Sequence, residues 1–167
     1  MGRFPRPDTD IGAVYERYSD MLFRIALLQT GNREDAMDAV QDVFLRFTQK
    51  TVLFFSEEHE KAWFIRSTIN RCRDIYRKNS LRNHGELTEA ENASYKEYFS
   101  EENLTVPEAL EQLPEKIRSV MILHYLEGFS IEEIAKMLVL SASAVKMRLS
   151  RGREALREIL GKEEKYV

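Results

Sequence analysis

A chain of 167 residues, 43% hydrophobic and 32% charged, carries enough apolar side chains for one ordinary domain or two small ones. Its 25 basic and 28 acidic residues leave a net charge of -3, which argues against a protein that coats polyanions along its whole surface. No apolar run approaches the roughly 18 residues of a membrane span, and the opening MGRFPRPDTD has no apolar signal core, so the expectation is a cytoplasmic protein without direct membrane insertion.

Helical spacing dominates. From Ile11 the apolar positions Val14, Tyr15, Tyr18, Leu22, Ile25 and Leu28 recur at steps of three and four until Gly31, a natural stop. Asn32 can cap a second helix, with Ala36, Val40, Val43, Phe44 and Phe47 on one face and Asp35, Asp38, Asp42 and Arg46 on another. TVLFFSEEHE breaks the period and predicts a loop with at most one short helical turn, and a third helix resumes at Lys61 through KAWFIRSTINRCRDIYRK. On it Arg66, Asn70, Arg73 and Arg77 form one polar stripe, while Trp63, Ile65, Ile69, Cys72 and Tyr76 supply apolar surface. Such a stripe beside aromatics can follow a phosphate backbone and stack bases that have left a duplex; a core Trp under a solvated basic face gives the same pattern. Cys72 is the only cysteine, which rules out a disulfide within the chain and reads as a small buried hydrophobe.

Residues 80–106 are polar and acidic and suit a linker, with a transient helix possible around AENASYKEYF. Pro107 fits the first turn of a further helix, and Pro114 opens another. Ser130 and Glu133 make a capping box for IEEIAKML, whose Ile131, Ile134, Ala135 and Leu138 face inward. After the short turn VLS, Ser141 caps a helix of about fifteen residues with Ala142, Val145, Leu149 and Leu156 on its apolar side. Two helices joined by so tight a turn outline a helix-turn-helix, whose second helix enters the major groove. Ser143, Lys146, Met147, Ser150 and Arg151 lie on or beside its opposite face, as they also would on a merely solvated helix. Residues 61–80 carry six basic against one acidic residue, 81–107 two against six, and 140–161 five against two. Localised basic islands on an acidic protein point to site-specific contact with nucleic acid.

Taken in order, EDAMDAVQDVFLRF, WFIRSTINRCRDIYRK, ALEQLPEKIRSVMILHYLEGFSIEEIAKML and SASAVKMRLSRGREAL resemble the conserved regions of bacterial RNA polymerase sigma factors of the extracytoplasmic-function group, within the sigma-70 family. The resemblance implies an all-α fold: a domain over residues 1–80 for polymerase docking and minus-ten recognition, an acidic linker over 81–106, and a helix-turn-helix domain over 107–167 for the minus-thirty-five element. It implies that Asp38, Gln41, Asp42 and Leu45 meet the clamp coiled coil of the polymerase core, that the C-terminal domain meets the flap, and that an anti-sigma factor covers these surfaces. By the same resemblance Arg66, Asn70, Arg73 and Arg77 meet the minus-ten element beside Trp63, with Phe54 and Phe55 helping to hold an extruded base. Lys146, Met147, Ser150 and Arg151 face minus-thirty-five bases, with Ser143 and Arg148 nearer phosphate. No cofactor, metal or catalytic residue is implied.

Three departures stand out. Val139 occupies a turn position where glycine is common, which leads us to expect a differently shaped turn, because positive φ is costly for a β-branched residue. The loop FFSEEHEK is strongly acidic for a base-capture segment. Met147 stands where a small polar residue is common and suits contact with a thymine methyl. Two other classes compete. A stand-alone helix-turn-helix regulator leaves the acidic docking helix and the Trp63 stripe without a purpose. A nuclease or recombinase needs clustered carboxylates or metal-like histidine spacing, and His59, His84 and His124 are widely separated.

Overall fold

The computed structural model describes residues 10–49, 53–80 and 105–164, and every element among them is a helix. Helix α1, Ile11–Thr30, is capped by Asp10, whose side chain accepts the Gly12 N–H at 2.9 Å. It ends at Gly31 in the left-handed conformation (φ 70°), where the Gly31 N–H bonds the Leu27 carbonyl at 2.8 Å. Asn32 caps α2, Arg33–Gln49, by accepting the Asp35 N–H. Helix α3, Glu57–Ser80, begins four residues before the expected Lys61. Ser56 is its cap, accepting the His59 N–H at 3.1 Å, and Glu57, Glu58 and Glu60 sit at the positive end of the helix dipole. That first turn has no apolar face, so it left no periodic signal.

Helices α1, α2 and α3 close around an aromatic cluster. Phe64 lies with ring centroids 4.9 to 5.2 Å from Tyr18, Phe44, Phe47 and Trp63, and Phe54 lies 5.8 Å from Trp63. The linker expected over 81–106 lies outside the described residues, except for Thr105 and Val106, which open α4. The transient helix considered around AENASYKEYF lies outside them too.

The C-terminal half contains α4, Thr105–Glu111, and α5, Glu115–Met121, which runs into a π-turn over Ile122–Leu126, followed by α6, Ile131–Leu138, and α7, Ala142–Glu164. The Ser130 capping box is complete in both directions. Ser141 caps α7 through the Ala144 N–H, and α7 is 23 residues long rather than about fifteen. It packs on α5 at Gly152, where an added Cβ would stand 2.5 Å from the Met121 sulfur.

The two halves share one hydrophobic core: α1 lies against α4, α5 and the π-turn, and α3 against α6. Arg118, 3% exposed, sits at their junction, and its described partners are backbone carbonyls. Its guanidinium donates to the Gln29 carbonyl in the last turn of α1 at 2.6 Å, and to the carbonyls of Leu110, Glu111 and Leu113 at 2.8 to 2.9 Å. One cation thus donates to carbonyls at the ends of both α1 and α4, where the helix dipoles favour positive charge. Beside it the Gln29 amide donates to the Ser119 hydroxyl, and at the rim Arg24 pairs in two bonds with Glu127.

Candidate nucleic-acid interface

Three surfaces carry the residues singled out from sequence. The first is α3 with the loop before it. Asn70 and Arg77 are exposed, and Arg66 and Arg73 are partly so, along a side of α3 that flanks buried Ile65, Ile69 and Cys72. Arg73 pairs with Glu115 at the start of α5. Arg71, a cation of the same helix outside the expected stripe, donates to Asp42 on α2 at 2.6 Å. Trp63 is partly buried in the aromatic cluster and holds α3 against the loop.

The loop places its two phenylalanines oppositely. Phe54 is 4% exposed, stacked with Phe47 at 6.3 Å and edge-on to Trp63, so it supports the loop from beneath and offers no face to a base. Phe55 is 72% exposed and is the loop's outward-facing aromatic. The acidity of this segment is partly drawn away: Glu60 accepts the Tyr18 hydroxyl at 2.8 Å and an Arg17 N–H at 3.3 Å, tying itself to α1. Burial, with the bond to Glu60, pushes the Tyr18 hydroxyl up to about 12. Burial likewise raises the Cys72 thiol far above its usual range, which keeps it unreactive.

The second surface is the helix-turn-helix. Val139 ends α6 in the left-handed conformation (φ 56°, ψ 53°), so the turn keeps the shape that glycine usually supplies, contrary to the expectation of a different one. Leu140 N–H bonds the Ala135 carbonyl across it. On α7, Val145 and Leu149 are buried against the domain. Ser143, Lys146, Met147, Ser150 and Arg151 are exposed, Arg148 is half-buried, and Met147 is 53% exposed. These six lie within the first three turns of one helix. Arg153 is set apart, donating to the Tyr125 hydroxyl of the π-turn at 3.0 Å.

The third surface is α2, where Asp38, Gln41 and Leu45 are exposed and Asp42 is half-occupied by Arg71. No group of three or more His, Cys, Asp or Glu side chains among the described residues could hold a metal. No described helix is long and apolar enough to cross a membrane. Sequence reasoning missed Arg71, Glu115, Arg118 and the side chain of His59. The three arginine and glutamate contacts span 29 to 89 residues and leave no local signal. His59 stands three residues after the serine cap, the position from which a side chain returns to the cap.

Comparison with known proteins adds an independent result. Residues 14–82 match the family model of Sigma-70 region 2, and residues 104–156 that of Sigma-70, region 4. The ECF RNA polymerase sigma factor SigL of Mycobacterium tuberculosis is 30% identical over 151 residues, covering 87% of this chain and 85% of that protein. The ECF RNA polymerase sigma factor SigE of Mycolicibacterium smegmatis is 29% identical over 154 residues, and the match spans 60% of its length. The fold matches that of the sigma factor RpoE of Bartonella quintana, solved in complex with the anti-sigma factor NepR, with a TM-score of 0.69 over 91% of this chain and 97% of that one at 23% identity.

Proposed function

Because this chain belongs to the sigma-70 family, in its extracytoplasmic-function group, we propose that it binds RNA polymerase core, directs it to particular promoters and assists strand opening, with no catalysis of its own. The observation that carries this reading is the presence on one chain of two separate exposed basic surfaces, the α3 stripe and the outer face of α7. A stand-alone regulator needs only the second.

In this reading residues 1–80 and 107–167 are the two working domains, and 81–106 links them. Lys146 and Arg151 meet minus-thirty-five bases with Ser150, Met147 contacts a thymine methyl, and Ser143 and Arg148 approach phosphate. Arg66, Asn70, Arg73 and Arg77 follow the minus-ten element, and Phe55 stacks an extruded base, worth about 1–3 kcal/mol against unpairing. Asp38, Gln41, Asp42 and Leu45 dock on the clamp coiled coil of the core, and the C-terminal domain contacts the flap. Arg73 leaves Glu115, and Asp42 shares or leaves Arg71, when those surfaces engage. The fold shared with RpoE supports an anti-sigma factor as a further partner, and the protein works in the cytoplasm, where the polymerase is.

A single helix-turn-helix buries only about 600–1,000 Å² on DNA, so the free chain binds promoters weakly and with strong salt dependence. The test is run-off transcription with core polymerase on a genomic fragment library, with start sites mapped. The expected result is initiation at a set of sites sharing minus-thirty-five and minus-ten sequences. A dimer on gel filtration that binds duplex tightly alone and ignores the polymerase would overturn it.

A further inference from the structure

The α3 cap departs from the usual pattern in a way that reaches the exposed aromatic of the loop. In a capping box the side chain three residues after the cap is a Glu or Gln, and it returns to the cap residue's own N–H. Here that residue is His59, and its Nδ1 reaches one residue further back, accepting the Phe55 N–H at 3.1 Å. Ser56 meanwhile accepts the His59 N–H, so loop and helix start are tied in both directions. The imidazole also lies over the Phe55 ring, centroids 5.3 Å apart and planes at 18°. Its other contact is the edge of Phe54 at 5.6 Å and 85°, and Phe54 is itself fixed in the core. In this contact Nδ1 is the acceptor, which leaves Nε2 as the ring nitrogen able to donate.

We propose that His59 is a positioning residue for promoter opening: its Nδ1 holds the Phe55 backbone, and through it the exposed Phe55 ring, in the place where an extruded base stacks. The proposal rests on the minus-ten reading above. The gain comes from preorganisation: a ring already held in one place loses less freedom when a base arrives than a loose one.

The full chain, assembled with core polymerase on a promoter fragment recovered by run-off mapping and carrying 2-aminopurine at the extruded position, reports opening by fluorescence. Phe55→Ala and His59→Ala are each expected to slow opening about tenfold while core binding is unchanged. His59→Asn, whose Oδ1 occupies the place of Nδ1, restores opening to within about threefold of the parent, and His59→Phe, a ring without an acceptor, does not. In the free chain, amide exchange at Phe55 quickens in His59→Ala and His59→Phe but not in His59→Asn, and melting temperatures of all variants establish that they fold. Normal opening by His59→Ala beside a defective Phe55→Ala overturns the role of His59 and leaves the minus-ten reading standing. Normal opening by Phe55→Ala overturns that reading itself. Rescue by His59→Phe and not by His59→Asn also overturns the proposal, because the ring and not the acceptor would then be what matters.

Discussion

Val139 holds a left-handed backbone with a β-branched side chain that is 71% exposed, so its conformation is strained and its side chain contributes little packing. Glycine relieves about 1–2 kcal/mol of strain there and gives back about 0.5–1 through the greater freedom of the unfolded chain. Val139→Gly is therefore expected to be neutral or to raise stability by up to about 1.5 kcal/mol, and a clear fall in melting temperature would contradict this. Tyr18 makes a second residue-level prediction. Its hydroxyl ionises near 10 in the unfolded chain and about 12 in the folded one. The folded state therefore keeps a proton the unfolded state has released, and stability present below pH 10 is lost as pH rises toward 12. Denaturant melts across that window should show Tyr18→Phe with a shallower alkaline decline. At this scale legibility was uneven. Adjacent Phe54 and Phe55 are identical in sequence and opposite in the fold, and in a loop no period tells which ring turns inward.

Elements were legible wherever an apolar face repeats. Gly31, Asn32, Ser130 and Ser141 all end or start helices as their chemistry dictates. The first turn of α3 was missed because it is polar and held by a cap, and α7 was read too short although Ile159, beyond the expected end, packs against the core. The π-turn after α5 was invisible, because one extra residue in a helical ring shifts no pattern over so short a span. Arg118 shows why helix ends need more than local sequence: it completes α1 and α4 from α5. Arg118→Met keeps volume but removes a buried donor shared by four carbonyls, of which Leu110 keeps the Leu113 N–H, and a loss of about 3 kcal/mol or more is expected by denaturant unfolding. A change within a few tenths would show that water replaces the guanidinium freely.

Across the whole molecule, helical content and the helix-turn-helix followed from periodicity, whereas the packing of the two halves on one core did not. That packing depends on contacts such as Arg73 with Glu115 and Arg24 with Glu127, each joining residues far apart in sequence. Glu115 holds an arginine assigned to the minus-ten element. Glu115→Ala is expected to raise the affinity of the free chain for its promoter two- to fivefold at low salt, matching the about 0.5–1 kcal/mol of a partly exposed ion pair. Filter binding at two salt concentrations would detect it, and unchanged or weaker binding would argue that Arg73 is not on the DNA path. The Arg118 junction also orders events during synthesis. The Gln29 carbonyl and amide are completed by Arg118 and Ser119, which follow 89 and 90 residues later. At about 5–20 residues per second on the ribosome, the first three helices, complete at Ser80, are made roughly 2–8 s before that partner exists. Their aromatic cluster, contained within residues 15–64, can close in that interval. The end of α1 stays hydrated until the second half of the chain is made, so the nascent protein acquires its first three-helix packing before the junction that joins it to the rest.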